Sequence, residues 1–147
     1  MSLALVNVNS VGGIGISLGF EAEDGFLRCR ASGVYSFEDG CWMIHEVVAE
    51  STERGATRVL VDCQLIAGSP SMFDRYALAE FLAQEVVGYI IAGKIVPRLA
   101  IVGREPLVDP NRFGELVARN RGVQTKTVEE MEDAVKWLAG GGGNYEG

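Results

Sequence analysis

The chain has little of what usually carries catalysis or metal binding: one histidine, three cysteines and four prolines in 147 residues. Its cysteines, Cys29, Cys41 and Cys63, are an odd number without motif spacing, which argues against a secreted disulfide framework and fits a reducing cytosol. The lone histidine, His45, stands four residues after Cys41, so the two could offer metal ligands or a thiol–base pair on neighbouring helical turns. Nothing supplies a third ligand or an orienting acid. Structural roles are therefore assigned to both, and no metal, cofactor or catalytic residue is expected.

Basic runs are also missing. With a net charge of -7 the chain has no electrostatic means of gripping a phosphate backbone, and nucleic acid is not an expected partner. The longest apolar stretch, 86–96, contains Gly88, Gly93 and Lys94 and is too short to span a bilayer. The amino terminus lacks a cationic start and a long apolar run, so neither signal peptide nor anchor is read there. Gly12-Gly13-Ile14-Gly15 precedes a strand instead of following one, which is the wrong context for a phosphate-binding loop.

What remains is ordinary globular material, 48% hydrophobic and 22% charged, long enough for one domain with a real core. The domain is expected over 14–139, between a loose segment at 1–13 and a flexible glycine-rich tail at 140–147. Two strands flank a hairpin turn at Glu23-Asp24-Gly25. In the second, Leu27, Cys29 and Ala31 alternate with Arg28 and Arg30, which points Cys29 inward. Ser36 opens a helix ended by Gly55, with Phe37, Cys41, Ile44 and Val48 as its buried stripe. Trp42 falls on the polar side. It is either folded over a neighbouring element or a surface aromatic open to a partner.

The apolar runs 58–63 and 98–103 read as central parallel strands buried on both faces. Between them, Val59-Leu60-Val61 leads into Asp62 and a turn, Gly68-Ser69-Pro70-Ser71, that opens a long helix to about Ile91. In an open α/β sheet, ligand and partner surfaces form where strand carboxyl ends meet helix amino ends. Asp62 is thus a candidate docking or ligand residue, or simply an acceptor that ties down the 64–69 loop. Ser71, three residues before Asp74, reads as a helix cap, and Ser69 is freer to be exposed.

The long helix is apolar around too much of its girth for one sheet face to cover. Met72, Phe73, Tyr76, Phe81, Val87, Tyr89 and Ile90 are candidate interface or hydrophobic-ligand residues. They would serve a homodimer, a protein partner, a hydrophobic small molecule or a peripheral membrane contact, or else lie under the loop 88–97. Further on, Asp109 and Pro110 open a helix stopped by Gly122, 123–126 can form an edge strand, and Thr127 with Glu130 makes a capping box for a last helix.

The order is strand, strand, helix, strand, helix, strand, helix, strand, helix. Together with Gly33-Val34-Tyr35-Ser36-Phe37-Glu38-Asp39, Val59-Leu60-Val61-Asp62, Leu99-Ala100-Ile101-Val102-Gly103 and Ala134-Val135-Lys136-Trp137-Leu138, it resembles the SpoIIAA-like branch of the STAS domains. The resemblance implies a single-domain α/β fold with a mixed central sheet, a β-hairpin start and about four helices. It further implies a non-catalytic, cytoplasmic regulatory module that binds a kinase or anti-sigma factor and is switched by phosphorylation of a serine at a helix amino end. Here that region holds Ser69 and Ser71, with Ala67-Gly68-Ser69-Pro70-Ser71 where the antagonists carry Asp-Ser-Ser/Thr-Gly. A second resemblance of this fold branch, to the lipid-carrying CRAL-TRIO domains, implies instead a hydrophobic ligand or membrane surface at the second helix.

Overall fold

A computed structural model describes residues 3–6 and 15–140. Six strands form one sheet in the order of the chain: β1 (Leu3–Val6), β2 (Ile16–Glu23), β3 (Phe26–Val34), β4 (Arg58–Ala67), β5 (Arg98–Val102) and β6 (Thr125–Val128). The first three pair antiparallel and the rest parallel, so the sheet is mixed. Four helices complete it: α1 (Phe37–Glu53), α2 (Met72–Ile91), α3 (Phe113–Asn120) and α4 (Met131–Gly140).

Side-chain alternation decides the layers. Ile16, Leu18 and Phe20 of β2, Leu27 and Cys29 of β3, and Val59 and Val61 of β4 share a buried face with Val47 and Val48 of α1, Leu82 and Val86 of α2, and Val117 of α3. On the other face, Leu60, Ala100 and Val102 meet Ala134 and Leu138 of α4. Three helices thus cover one side and a single helix the other. The central strands β4 and β5 are apolar on both faces because both are packed. The Asp24-Gly25 hairpin forms as expected, with Gly25 at φ 95°.

Three sequence expectations are corrected. Leu3–Val6, read as part of a loose segment, pair with β2 as an edge strand, because a short apolar run can satisfy the unpaired edge of β2. The rest of 1–13, apart from these four residues, lies outside the described residues, as does the tail beyond Gly140, which closes α4. The buried side of α1 is rotated: Asp39, Gly40, Val47, Val48 and Ser51 face inward, and Phe37 is exposed. A Cβ on Gly40 would stand 3.1 Å from both Leu78 and Tyr35, so α1 approaches α2 closely there, with that side turned in. Finally, Thr127 lies within β6 and caps no helix, its backbone N–H donating to Glu115 Oε1 at 2.7 Å. The sheet claims this residue because β5 offers a free parallel edge up to Val102.

Candidate functional site

The strand carboxyl ends, the first turn of α2 and the β5–α3 loop meet at one edge of the molecule. Ser71 is the N-cap of α2, its Oγ accepting from the Asp74 N–H at 3.0 Å. Pro70 is buried, while Ser69 between it and Gly68 is exposed. Gly68 adopts φ 137° and a Cβ there would come 2.7 Å from Tyr35 Cβ, so glycine is what lets the turn lie against the start of α1. Two bonds fix that contact. The Tyr35 N–H donates to Ala67 O at 2.8 Å, and the Tyr35 hydroxyl donates to Asp74 Oδ2 at 2.8 Å. Burial, followed by the bond to the Asp74 carboxylate, pushes the Tyr35 phenol well above its usual range. At the next residue of α2, the Arg75 guanidinium donates to the carbonyls of Pro106 and Leu107, clasping the β5–α3 loop.

Asp62 does not join this cluster. β4 continues through a bulge opposite Arg30 and Ser32 to Ala67, so Asp62 stands inside the strand and not at its carboxyl end. Its neighbours Val61 and Cys63 belong to the three-helix face, which leaves Asp62 directed to the side that carries α4. There Asp62 Oδ1 accepts from the Gln64 backbone N–H at 3.0 Å and from Gln64 Nε2 at 3.1 Å. The carboxylate organises the bulge, as the local reading of this residue had it.

The candidate apolar residues of α2 divide. Met72, Phe73 and Tyr76 are exposed by 54%, 78% and 41% and form a patch at the amino end, directly after Ser69. Tyr76 also lies 6.3 Å from the Phe113 ring and under the Arg121 guanidinium. Val87 and Ile90 belong to a second exposed patch at the carboxyl end with Ile91 and Ile95, exposed by 80% and 75%. The loop after α2 does not cover them. Between the patches the exposed residue of α2 is Gln84, and half-buried Glu80 is ion-paired to Arg121. Phe81 is half-buried, and Tyr89 packs against the core.

Of the two readings of Trp42, the structure agrees with the one folded over its neighbours: the side chain is half-buried against the main core. His45 and Cys41 do not act together. His45 Nδ1 lies 2.7 Å from Glu85 Oε1 and so links α1 to α2. Burial raises all three thiols, most for Cys29 and Cys63, the latter from 9.0 up to about 12 with the Asp62 charge a lesser cause. Among the described residues no group of three or more metal-ligating side chains converges, and no helix is long and apolar enough to cross a membrane.

Sequence reasoning singled out Ser69, Ser71, Met72, Phe73 and Tyr76, which the structure brings to this edge, but missed Tyr35 and Arg75, which hold it together. Tyr35 sits in the Gly33–Asp39 stretch that carried the family resemblance, yet its partner is 39 residues away. Ile91 and Ile95 were missed because the loop was allowed to fold over them.

No protein-family model and no curated protein matches the sequence. A solved structure does: an anti-sigma factor antagonist from Mycobacterium paratuberculosis superposes with a TM-score of 0.56 at 15% identity, over 90% of this chain and 99% of that one. The fold is SpoIIAA-like. An uncharacterised protein with a SpoIIAA-like fold from Shewanella loihica PV-4 is similar at 23% identity, with a TM-score of 0.47, over 89% of this chain and 99% of the other. On this SpoIIAA-like frame, Ser69 and the patch of Met72, Phe73 and Tyr76 lie at the amino end of the second helix, the region in which the sequence resemblance locates the switch serine.

Proposed function

We propose that the protein is a non-catalytic regulatory module that docks a protein partner at the amino end of α2. One observation carries this reading: three large apolar side chains, Met72, Phe73 and Tyr76, stand exposed immediately after an exposed serine on a turn held rigid by Tyr35. A rigid turn beside an apolar patch is suited to a protein surface, because little ordering is required on binding. A phosphate on Ser69 would be favoured by the α2 dipole and first-turn amides, and would place nearly two charges at the rim of the patch. Docking would then be switched without refolding. The likeness of the fold to an anti-sigma factor antagonist supports a regulatory role of this kind.

The test is affinity capture from the protein's own host with the parent chain, Phe73→Glu, Ser69→Asp and Ser69→Ala, each variant checked for unchanged melting. A partner held by the parent and by Ser69→Ala but lost by both charged variants is expected. Identical recoveries from all four would refute the reading.

The carboxyl-end patch favours a second, separate contact. Val87, Ile90, Ile91 and Ile95 surround Lys94, a composition suited to a peripheral membrane surface or to a second copy of the chain. Sedimentation with and without anionic vesicles distinguishes the two, and Ile91→Glu should abolish whichever is seen.

A further inference from the structure

We propose that the space between α2 and the sheet is a binding site for a small, neutral, mainly apolar molecule carrying one hydroxyl or carbonyl group. The proposal does not depend on the docking reading, although the cavity opens at the same edge, beside Tyr35 and Arg75.

A cavity of about 220 Å³ lies there, walled by Val48, Val61, Leu82, Leu99 and Ile101 among others. Native cores leave few voids larger than a water molecule. An engineered cavity of about 150 Å³ with walls of this kind stays dry and admits benzene. The present space is larger by nearly half, which suits one ring with a short substituent or a chain of about eight carbons. It reaches the surface at the strand carboxyl ends, where half-buried Tyr35, Arg75 and Leu107 and exposed Arg112 line it.

Two observations define the chemistry. Thr125, 1% exposed, is one of the residues around the cavity, and its buried hydroxyl oxygen has no hydrogen-bond partner. An unpaired buried hydroxyl is costly, and a ligand hydroxyl or carbonyl would satisfy it. The charged residues in the wall are balanced: Arg75 and Arg112 against Asp109 and Glu115. The interior charges are already engaged, Glu115 with Arg119, Asp109 with the Phe113 N–H and Arg75 with the Pro106 and Leu107 carbonyls, so none of these is left to hold a ligand carboxylate. A neutral molecule fits and a fatty acid does not.

Calorimetric titration of the whole chain with 1-butanol, 1-hexanol, 1-octanol, 1-dodecanol, p-cresol, toluene and octanoate tests the proposal. Affinity should tighten about fourfold per added methylene up to roughly eight carbons and fall for 1-dodecanol. Octanoate should bind more weakly than 1-octanol, and p-cresol about fivefold more tightly than toluene. Ala79 also lines the cavity, so Ala79→Leu should occlude it and remove binding. Thr125→Val keeps the shape and should erase the preference for p-cresol while toluene still binds. The proposal is overturned if no neutral probe binds saturably, if octanoate binds best, or if Ala79→Leu folds and binds as the parent does. Should Ala79→Leu fail to fold, an unchanged p-cresol preference in Thr125→Val overturns the assignment.

Discussion

The Tyr35 hydroxyl donates a hydrogen bond to Asp74 Oδ2 across 2.8 Å and 39 residues of sequence, joining the start of α1 to the first turn of α2. The same Asp74 supplies the N–H that Ser71 caps, so one turn of helix is held from two sides. Replacing Tyr35 with Phe removes one member of this pair and leaves a half-buried carboxylate without its donor. A loss of about 1–2 kcal/mol is expected, read as a lower denaturant midpoint with an unchanged slope.

The capping serine and the exposed serine should behave differently. Ser71→Ala is expected to cost about 1 kcal/mol in a thermal or urea melt. Ser69→Ala, at an exposed position without a side-chain bond, should stay within about 0.5 kcal/mol of the parent. Ser69→Asp should leave the melt unchanged and weaken docking. If Ser69→Ala proves as costly as Ser71→Ala, Ser69 has a structural role and the switch loses its basis.

Alkaline pH should destabilise the fold. Burial holds the Cys63 thiol protonated up to about 12, against 9.0 when unfolded, and raises the Tyr35 phenol as well. A group with a raised folded pKa contributes fully below its unfolded value and loses that contribution as pH rises toward the folded one. Melting temperature should therefore be flat between pH 7 and 8.5 and fall between pH 9 and 12. Native protein at pH 8 should expose at most one thiol to a disulfide reagent, the half-buried Cys41, and three after unfolding. Rapid native reaction of three thiols would contradict the burial of Cys29 and Cys63.

Two phenylalanines on α2 separate surface from core. Phe73→Glu, at a side chain 78% exposed, should change stability by less than about 0.5 kcal/mol while reducing docking. Phe81→Glu places a charge at a half-buried position and should lower the melting temperature clearly. Equal melts for the two variants would show that the helix is rotated relative to the structure described.

Much of the fold was legible because its signals are local. The alternation of Leu27, Cys29 and Ala31, the glycine at Gly25 and the apolar runs of β4 and β5 each fix an element without reference to distant residues. Ser71 was read correctly as a cap for the same reason, since its partner is three residues away. The errors came where two local patterns competed or where a neighbour decided. Thr127 with Glu130 has a capping spacing, but the open edge of β5 took Thr127 into the sheet. Asp62 seemed to end a strand because a bulge at the following residues interrupts the alternation. The rotation of α1, which moved Phe37 outward, depends on a close approach at Gly40 that no spacing encodes. The cavity has no sequence signal either, since it is a property of how far α2 stands from the sheet.

Gly68 divides the turn into what selection can and cannot rewrite. Any other L-residue there would have to accept φ 137° and drive a Cβ into Tyr35, whereas Ser69 beside it is exposed and meets no such limit. A library randomised over 67–71 and sorted for folded protein should therefore return glycine at 68 almost without exception and nearly every residue at 69. The proposed regulatory position would be free to gain, lose or change its chemistry over generations, because the residue before it carries the conformational constraint.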